Sequence, residues 1–272
     1  MLREKVKEYL TELRLTGKSH NTIAAYEFHL SKFVAWCEER GVDYTTVNGK
    51  ETRAFRNYLA RQGLAPGSIN AIIAALKSFY DFLVEEEEVV KGNPVIPRRL
   101  RVTEEKRQPN FLTQGEVEKV LTALNELPPH VNLAFRTMLA TGLRVSEVAN
   151  LKGEDVLQVN GAVFLRVRQG KGKKERIVPV TDPAVAKELL ALPPEGFGVT
   201  TGTLKAYAHW IKKKTNIDFH SHRLRHTFAT SLLAQGVTID VVQKVLGHSN
   251  ISTTRRYAET LPEAVSRLAA KV

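Results

Sequence analysis

Sulfur is scarce in this chain of 272 residues, which has a single cysteine, Cys37, and two methionines. A lone cysteine excludes any disulfide within the chain and any zinc site built on cysteines. This fits a reducing compartment, and Cys37 is expected to be a small core residue. The amino-terminal stretch MLREKVKEYLTELR is charged and amphipathic, with no apolar run long enough for a signal peptide or a membrane span. A cytoplasmic protein with no membrane partner is therefore expected. Also missing are H-E-x-x-H, a clustered Asp/Glu set suited to two magnesium ions, and the Walker pattern G-x-x-x-x-G-K-[ST]. The run Gly170-Lys171-Gly172-Lys173 mimics a phosphate loop, yet it joins strands instead of opening a helix. Nucleotide hydrolysis is disfavoured, and neither metal nor cofactor is expected.

Acidic charge is in short supply as well. Against 40 Lys and Arg stand 29 Asp and Glu, a net charge of +11, so a polyanion is the expected partner. The imbalance is local. Residues 1–90 carry 12 basic and 13 acidic side chains, whereas residues 91–272 carry 28 and 16. A hydrophobic content of 43% over this length supports one large or two modest domains.

Apolar spacing reads as four helices over residues 1–90: about Leu2 to Leu15, Asn21 to Arg40, Lys50 to Arg61, and one starting at the Pro66-Gly67-Ser68 turn. Ser19 or Asn21 caps the second, and Gly41 ends it. The run Glu85 to Glu88 reads as a solvated helix end with no binding role. Residues 91–110, with Gly92, Pro94, Pro97 and Pro109, read as an extended interdomain linker. Its cluster Arg98-Arg99-Leu100-Arg101 serves either solubility or contact with a phosphate backbone.

A second domain, 111–272, opens with a capping box, Thr113 and Glu116. A helix from His130 to Thr141 is ended by Gly142, and the next turn begins at Arg144. Between Val156 and Val180 the period changes to two, predicting a three-stranded antiparallel sheet from VLQV, AVFLRVR and ERIVPV, with Gly170-Lys171-Gly172 as the second turn. Helices are then expected over 184–190, 203–214, 223–235, 239–246 and 262–270. The predicted class is mainly α with a small antiparallel β-sheet.

The chemistry-bearing residues gather late in the chain. His222-Arg223-Leu224-Arg225-His226, then Leu246-Gly247-His248, then Tyr257 suit attack on a phosphodiester, with arginine and histidine neutralising charge on a phosphorane and tyrosine supplying the nucleophilic oxygen. Singly, each has a plainer reading. Arg144 and Glu147 suit an ordinary i, i+3 surface pair, Lys171 a solvated hairpin tip, and the histidines caps or core residues.

Together, TGLRVSE at 141–147, GKGKKERIVPV at 170–180, HRLRHTFAT at 222–230, LGHS at 246–249 and Tyr257 resemble the tyrosine recombinase (phage integrase) family, in that order. KSHNTIAAY at 18–26 resembles the family's core-binding domain. The likeness is greatest to the Xer group, since the chain begins directly with that domain and leaves no room for an arm-site-binding module.

The resemblance implies a four-helix, SAM-like core-binding domain followed by an α+β catalytic domain. It implies that Tyr257 is the nucleophile, forming a 3′-phosphotyrosyl link. Arg144, Arg225 and His248 would hold the phosphate, Lys171 (with Lys173 as the alternative) would protonate the leaving oxygen, and His222 would assist. Glu147 and His226 would be supporting residues. The implied partners are double-stranded DNA and further copies of the chain, a dimer on one site and a tetramer on two, with a DNA translocase or paralogous recombinase as further candidates. The short helix at 262–272 is expected to dock into a neighbouring protomer. Alternatives are the integrase or resolvase of a mobile element, a type IB topoisomerase, and a DNA-binding regulator without chemistry.

Overall fold

The computed structural model describes residues 1–85, 87, 89–104, 110–168 and 175–247. They divide into two compact units, parted between residues 106 and 107.

In the first unit α1 (Leu2–Leu15), α2 (His20–Arg40), α3 (Gly49–Arg61) and α4 (Pro66–Glu85) follow the sequence pattern closely. Ser19 is the cap of α2, its hydroxyl accepting from the Thr22 amide, and Gly41 ends the helix at φ 61°. The centre of the unit is α4, whose Ile69, Ile72, Ile73, Leu76, Phe79, Tyr80 and Leu83 are all buried. Each such side chain contributes roughly 1.5–3 kcal/mol by leaving water. By length and composition α4 could cross a membrane, but here its apolar positions fill the unit's own core. The Phe33 ring meets Phe55 and Tyr80 edge-on, and the Tyr80 hydroxyl donates to the Tyr44 carbonyl. Cys37 is buried among them, and burial pushes its thiol up to about 12.

Two expectations for this region need correction. The segment read as an extended linker packs onto the first unit. It contains a short helix, α5 (Pro97–Leu100), and Val95 and Leu100 are buried in the core. Asn70 of α4 holds the chain beyond it, donating to the Val102 carbonyl and accepting from the Val102 amide, both at 2.9 Å. The apolar residues scattered among the prolines supply the reason, because a solvated strap would leave them in water. Of the glutamate run, Glu87 is not simply solvated, for its carboxylate bonds to Lys5 Nζ of α1 at 2.6 Å.

The second unit runs α6 (Gln114–Leu124), α7 (Pro129–Thr141), α8 (Val145–Ala149), a 3-10 turn at Gly153–Asp155, β1 (Val156–Val159), β2 (Ala162–Val167), β3 (Arg176–Pro179), α9 (Pro183–Leu189), α10 (Thr201–Thr215), α11 (Ser221–Ala234) and α12 (Ile239–Leu246). The capping box of Thr113 and Glu116 is formed as expected. The three strands are antiparallel in the order β1-β2-β3, with Leu165 opposite both Val156 and Val178. Alternation sets the faces: Val163, Leu165 and Val167 point into the core, and on β3 Val178 is buried while Ile177 is exposed. Helices α11 and α12 share a separate apolar cluster of Phe228, Ala229, Leu232, Leu233, Val242 and Leu246. The predicted turn at 170–172 and helix at 262–272 lie outside the described residues.

Candidate active site

Gly142 terminates α7 in the left-handed region, at φ 66°, and turns the chain so that Arg144 stands just ahead of α8. Its missing side chain matters too, since a Cβ there would overlap the Phe228 ring and lie 2.8 Å from Leu246 Cδ2. The close fit lets α11 and the end of α12 approach the turn.

Arg144 and Glu147 pair as their spacing suggests, but not on the surface. The Arg144 amide donates to Glu147 Oε2 at 2.8 Å and its Nη1 to Oε1 at 2.9 Å. The carboxylate is 3% exposed and is shared with a second arginine. Arg176 of β3 meets it with a two-pronged fork, Nη1 to Oε1 at 2.9 Å and Nη2 to Oε2 at 2.8 Å. Burial pushes the Glu147 carboxyl up, but the bonds from Arg176 and from the Arg144 amide outweigh it and hold the group below the ordinary glutamate range. Glu147 is thus an anion held between two cations.

Three arginines converge on the end of α12. Arg176 Nε donates to the Val245 carbonyl at 3.0 Å, Arg225 Nη2 to the Leu246 carbonyl at 2.6 Å, and Arg144 Nη2 approaches the Gly247 carbonyl at 3.5 Å. The last carbonyls of a helix have no partner within it and carry the negative end of its dipole, so guanidinium groups suit them in both hydrogen bonding and charge. Arg225, 1% exposed, also donates through Nη1 to the Gly142 carbonyl at 2.6 Å. One side chain of α11 thereby fastens the Arg144 turn to the helix end that leads into residue 248.

His222 and His226 lie one turn apart on α11, their rings edge-on with centroids 4.4 Å apart. His222 keeps an exposed rim. Loss of water around the ring, then the positive charges of Arg225, His220 and Arg144, hold it below the usual histidine range. A neutral imidazole at neutral pH can accept a proton. Arg223, between these residues, serves the framework. It is buried and donates to the carbonyls of Asp218 and Phe111 and to Glu116.

The structure therefore brings together Arg144, Glu147 and Arg225, with His222 and His226 on the same helix as Arg225. Lys171, His248 and Tyr257 lie outside the described residues. The residues on either side of the segment that carries Lys171 are described. On one side Arg168 pairs with buried Asp155, and on the other Arg176 pairs with Glu147. Arg176 is the residue that sequence reasoning misses in this role. Its position at the start of a strand is legible, but a partner 29 residues away is not. Among the described residues no group of three His, Cys, Asp or Glu is placed to hold a metal ion.

Residues 110–192 and 196–263 match the phage integrase family, and residues 6–87 match the phage integrase N-terminal SAM-like domain. The chain belongs to this family. Its curated relatives are tyrosine recombinases, and the chain is one as well. It is 35% identical over 292 residues to tyrosine recombinase XerA of Pyrococcus furiosus, covering 97% of this chain and 93% of the relative. To tyrosine recombinase XerC of Staphylococcus carnosus it is 31% identical over 262 residues, covering 88% and 86%. Two solved structures share the fold. One is a XerH site-specific recombinase bound to a palindromic difH substrate, with a TM-score of 0.76 and 20% identity over 97% of this chain and 83% of that one. The other is a lambda integrase dimer bound to a COC′ core site, with a TM-score of 0.74 and 21% identity over 94% and 76%.

Proposed function

We propose that this recombinase cuts and rejoins DNA at a specific site through a covalent link to Tyr257. The observation that supports the reading most is the gathering of Arg144 and Arg225 at the carbonyls of Gly247 and Leu246, one and two residues before His248. In the proposed reaction the Tyr257 oxygen attacks phosphorus and the bond to the 5′-oxygen breaks, leaving a 3′-phosphotyrosyl ester. Arg144, Arg225 and His248 donate to the nonbridging oxygens, where planar, permanently charged guanidinium groups meet the growing charge. Lys171 protonates the departing 5′-oxygen, and His222 accepts the tyrosine proton. Glu147 orients Arg144, and His226 supports the helix that carries Arg225. The ester keeps about the energy of the bond it replaces, so rejoining to a second 5′-hydroxyl is the same reaction reversed.

The working unit we propose is a dimer on one site and a tetramer on two duplexes. A XerH recombinase is seen bound to a palindromic difH substrate, and a lambda integrase tetramer bound to a Holliday junction. Residues 1–90 serve as a DNA-binding domain and 111–272 as the catalytic domain, with the helix at 262–272 docking into a neighbour. The proposed role is resolution of joined chromosomes, in the cytoplasm at the nucleoid.

The test is a nicked suicide duplex whose sequence has been selected by binding from a random pool. A covalent complex that disappears in Tyr257→Phe supports the reading, and a complex that persists in that variant overturns it. Strand exchange between two such duplexes separates a recombinase from an enzyme that only relaxes supercoils.

A further inference from the structure

We infer that Arg176 is a positioning residue for this reaction, acting through Glu147 and the end of α12. The inference rests on the proposed roles of Arg144 and His248. Arg176 opens β3, and its side chain is 12% exposed. Its five N–H donors lie in one plane, and the structure uses different edges of that fork on different elements. The outer edge takes both oxygens of Glu147, at 2.9 and 2.8 Å, and Nε takes the Val245 carbonyl at 3.0 Å. Behind the fork the chain has no room to spare, for a Cβ on Gly247 would lie 3.0 Å from Arg176 Cδ and 3.1 Å from its Nε.

These contacts tie three segments at one point. Glu147 sets the guanidinium of Arg144, the end of α12 leads through Gly247 to residue 248, and β3 begins shortly after the segment that carries Lys171. Without Arg176 the buried carboxylate would have Arg144 as its remaining cation, and Arg144 would be drawn toward it and away from a phosphate. The Val245 carbonyl would lose its donor in the same step. Arg176 touches no reacting atom in this scheme; it keeps Arg144 available and the approach to residue 248 in register.

The experiment measures two quantities on the selected duplex: affinity by gel shift, and the single-turnover rate of covalent complex formation on its nicked form at saturating protein. Arg176→Ala is expected to bind within about threefold of the parent and to cut about 100-fold more slowly, the loss that a misplaced catalytic group produces. Glu147→Gln is expected to do the same. The double variant should cut no more than about threefold slower than the worse single one, because both act through one contact. Multiplying losses in the double variant, or parental cutting by Arg176→Ala, overturns the inference.

Arg176→Lys covers the case in which the alanine variant does not fold. Its single ammonium cannot span the carboxylate edge and the carbonyl together, so cutting should fall about tenfold with binding kept. A parental rate in this variant also overturns the assignment. If the unaltered protein forms no covalent complex, the proposed reaction itself fails, which is a separate result.

Discussion

Arg225 and Leu246, 21 residues apart, are joined by a 2.6 Å hydrogen bond from guanidinium to backbone carbonyl, with the guanidinium almost wholly buried. The same group bonds Gly142 on its other side. Arg225 is therefore part of the fold as well as a candidate for phosphate binding. Replacing it with alanine leaves two interior carbonyls without this donor and a hole among α7, α11 and α12. Arg225→Ala is expected to lower stability by about 3 kcal/mol, read from urea denaturation, in addition to abolishing covalent complex formation. Arg225→Lys, which reaches one carbonyl at a time, should fall between the two. A stability equal to the parent in Arg225→Ala would contradict the structural role.

Gly142→Ala tests the turn itself. The left-handed backbone disfavours a side chain, and the added carbon meets Phe228 and Leu246. A loss of about 2 kcal/mol is expected. The control is Gly161→Ala, also left-handed but facing open space, which should lose less.

Glu147 makes the second unit sensitive to acid. Its carboxyl is held below the ordinary glutamate range in the folded protein, so the stability it gives is fully present above the unfolded value of about 4.3 and is lost as pH falls through the lower folded value. Denaturation midpoints measured from pH 7 down to pH 3 should fall less steeply in Glu147→Gln than in the parent. Parallel curves would show that the carboxylate is not the group responsible. His222 acts in the same direction, its stability contribution being present above the unfolded value and lost as pH falls through the lower folded one. Its lowered value makes it resist protonation when folded, so its ring signals should titrate by NMR with a midpoint below about 6.5.

Asn70→Ala should release the chain beyond α5. Both bonds to Val102 would be lost, together with the bond to Glu104 at 2.8 Å. The expected cost is about 1–2 kcal/mol, and limited proteolysis should cut the variant within residues 101–104 sooner than the parent. Equal cutting rates would show that the burial of Val95 and Leu100 holds this segment unaided.

Much of this architecture is local, and local features were legible. Ser19 and Thr113 cap helices through atoms three residues away, Gly41 and Gly142 stop them by backbone freedom alone, and the alternation of β2 is visible within six residues. The linker misled because proline and arginine dominate its composition while its fate depends on two residues, Val95 and Leu100, that find a core built elsewhere. In the site, ordered motifs singled out Arg144, Glu147 and Arg225 as candidates. Their partners were not singled out. A bond from Arg176 to Glu147 spans 29 residues and one from Arg225 to Gly142 spans 83. Backbone carbonyls carry no signature of their own in a sequence.

The three arginines at the end of α12 also bear on the order in which the chain is built. Residues 144, 176 and 225 come from a turn, a strand and a helix that must each be in place before their guanidinium groups can meet carbonyls 245 to 247. Contacts of such long sequence separation close late, after the local elements exist. Until they close, the chain lacks a fixed path into residue 248, and the proposed cutting of DNA would wait on a finished fold.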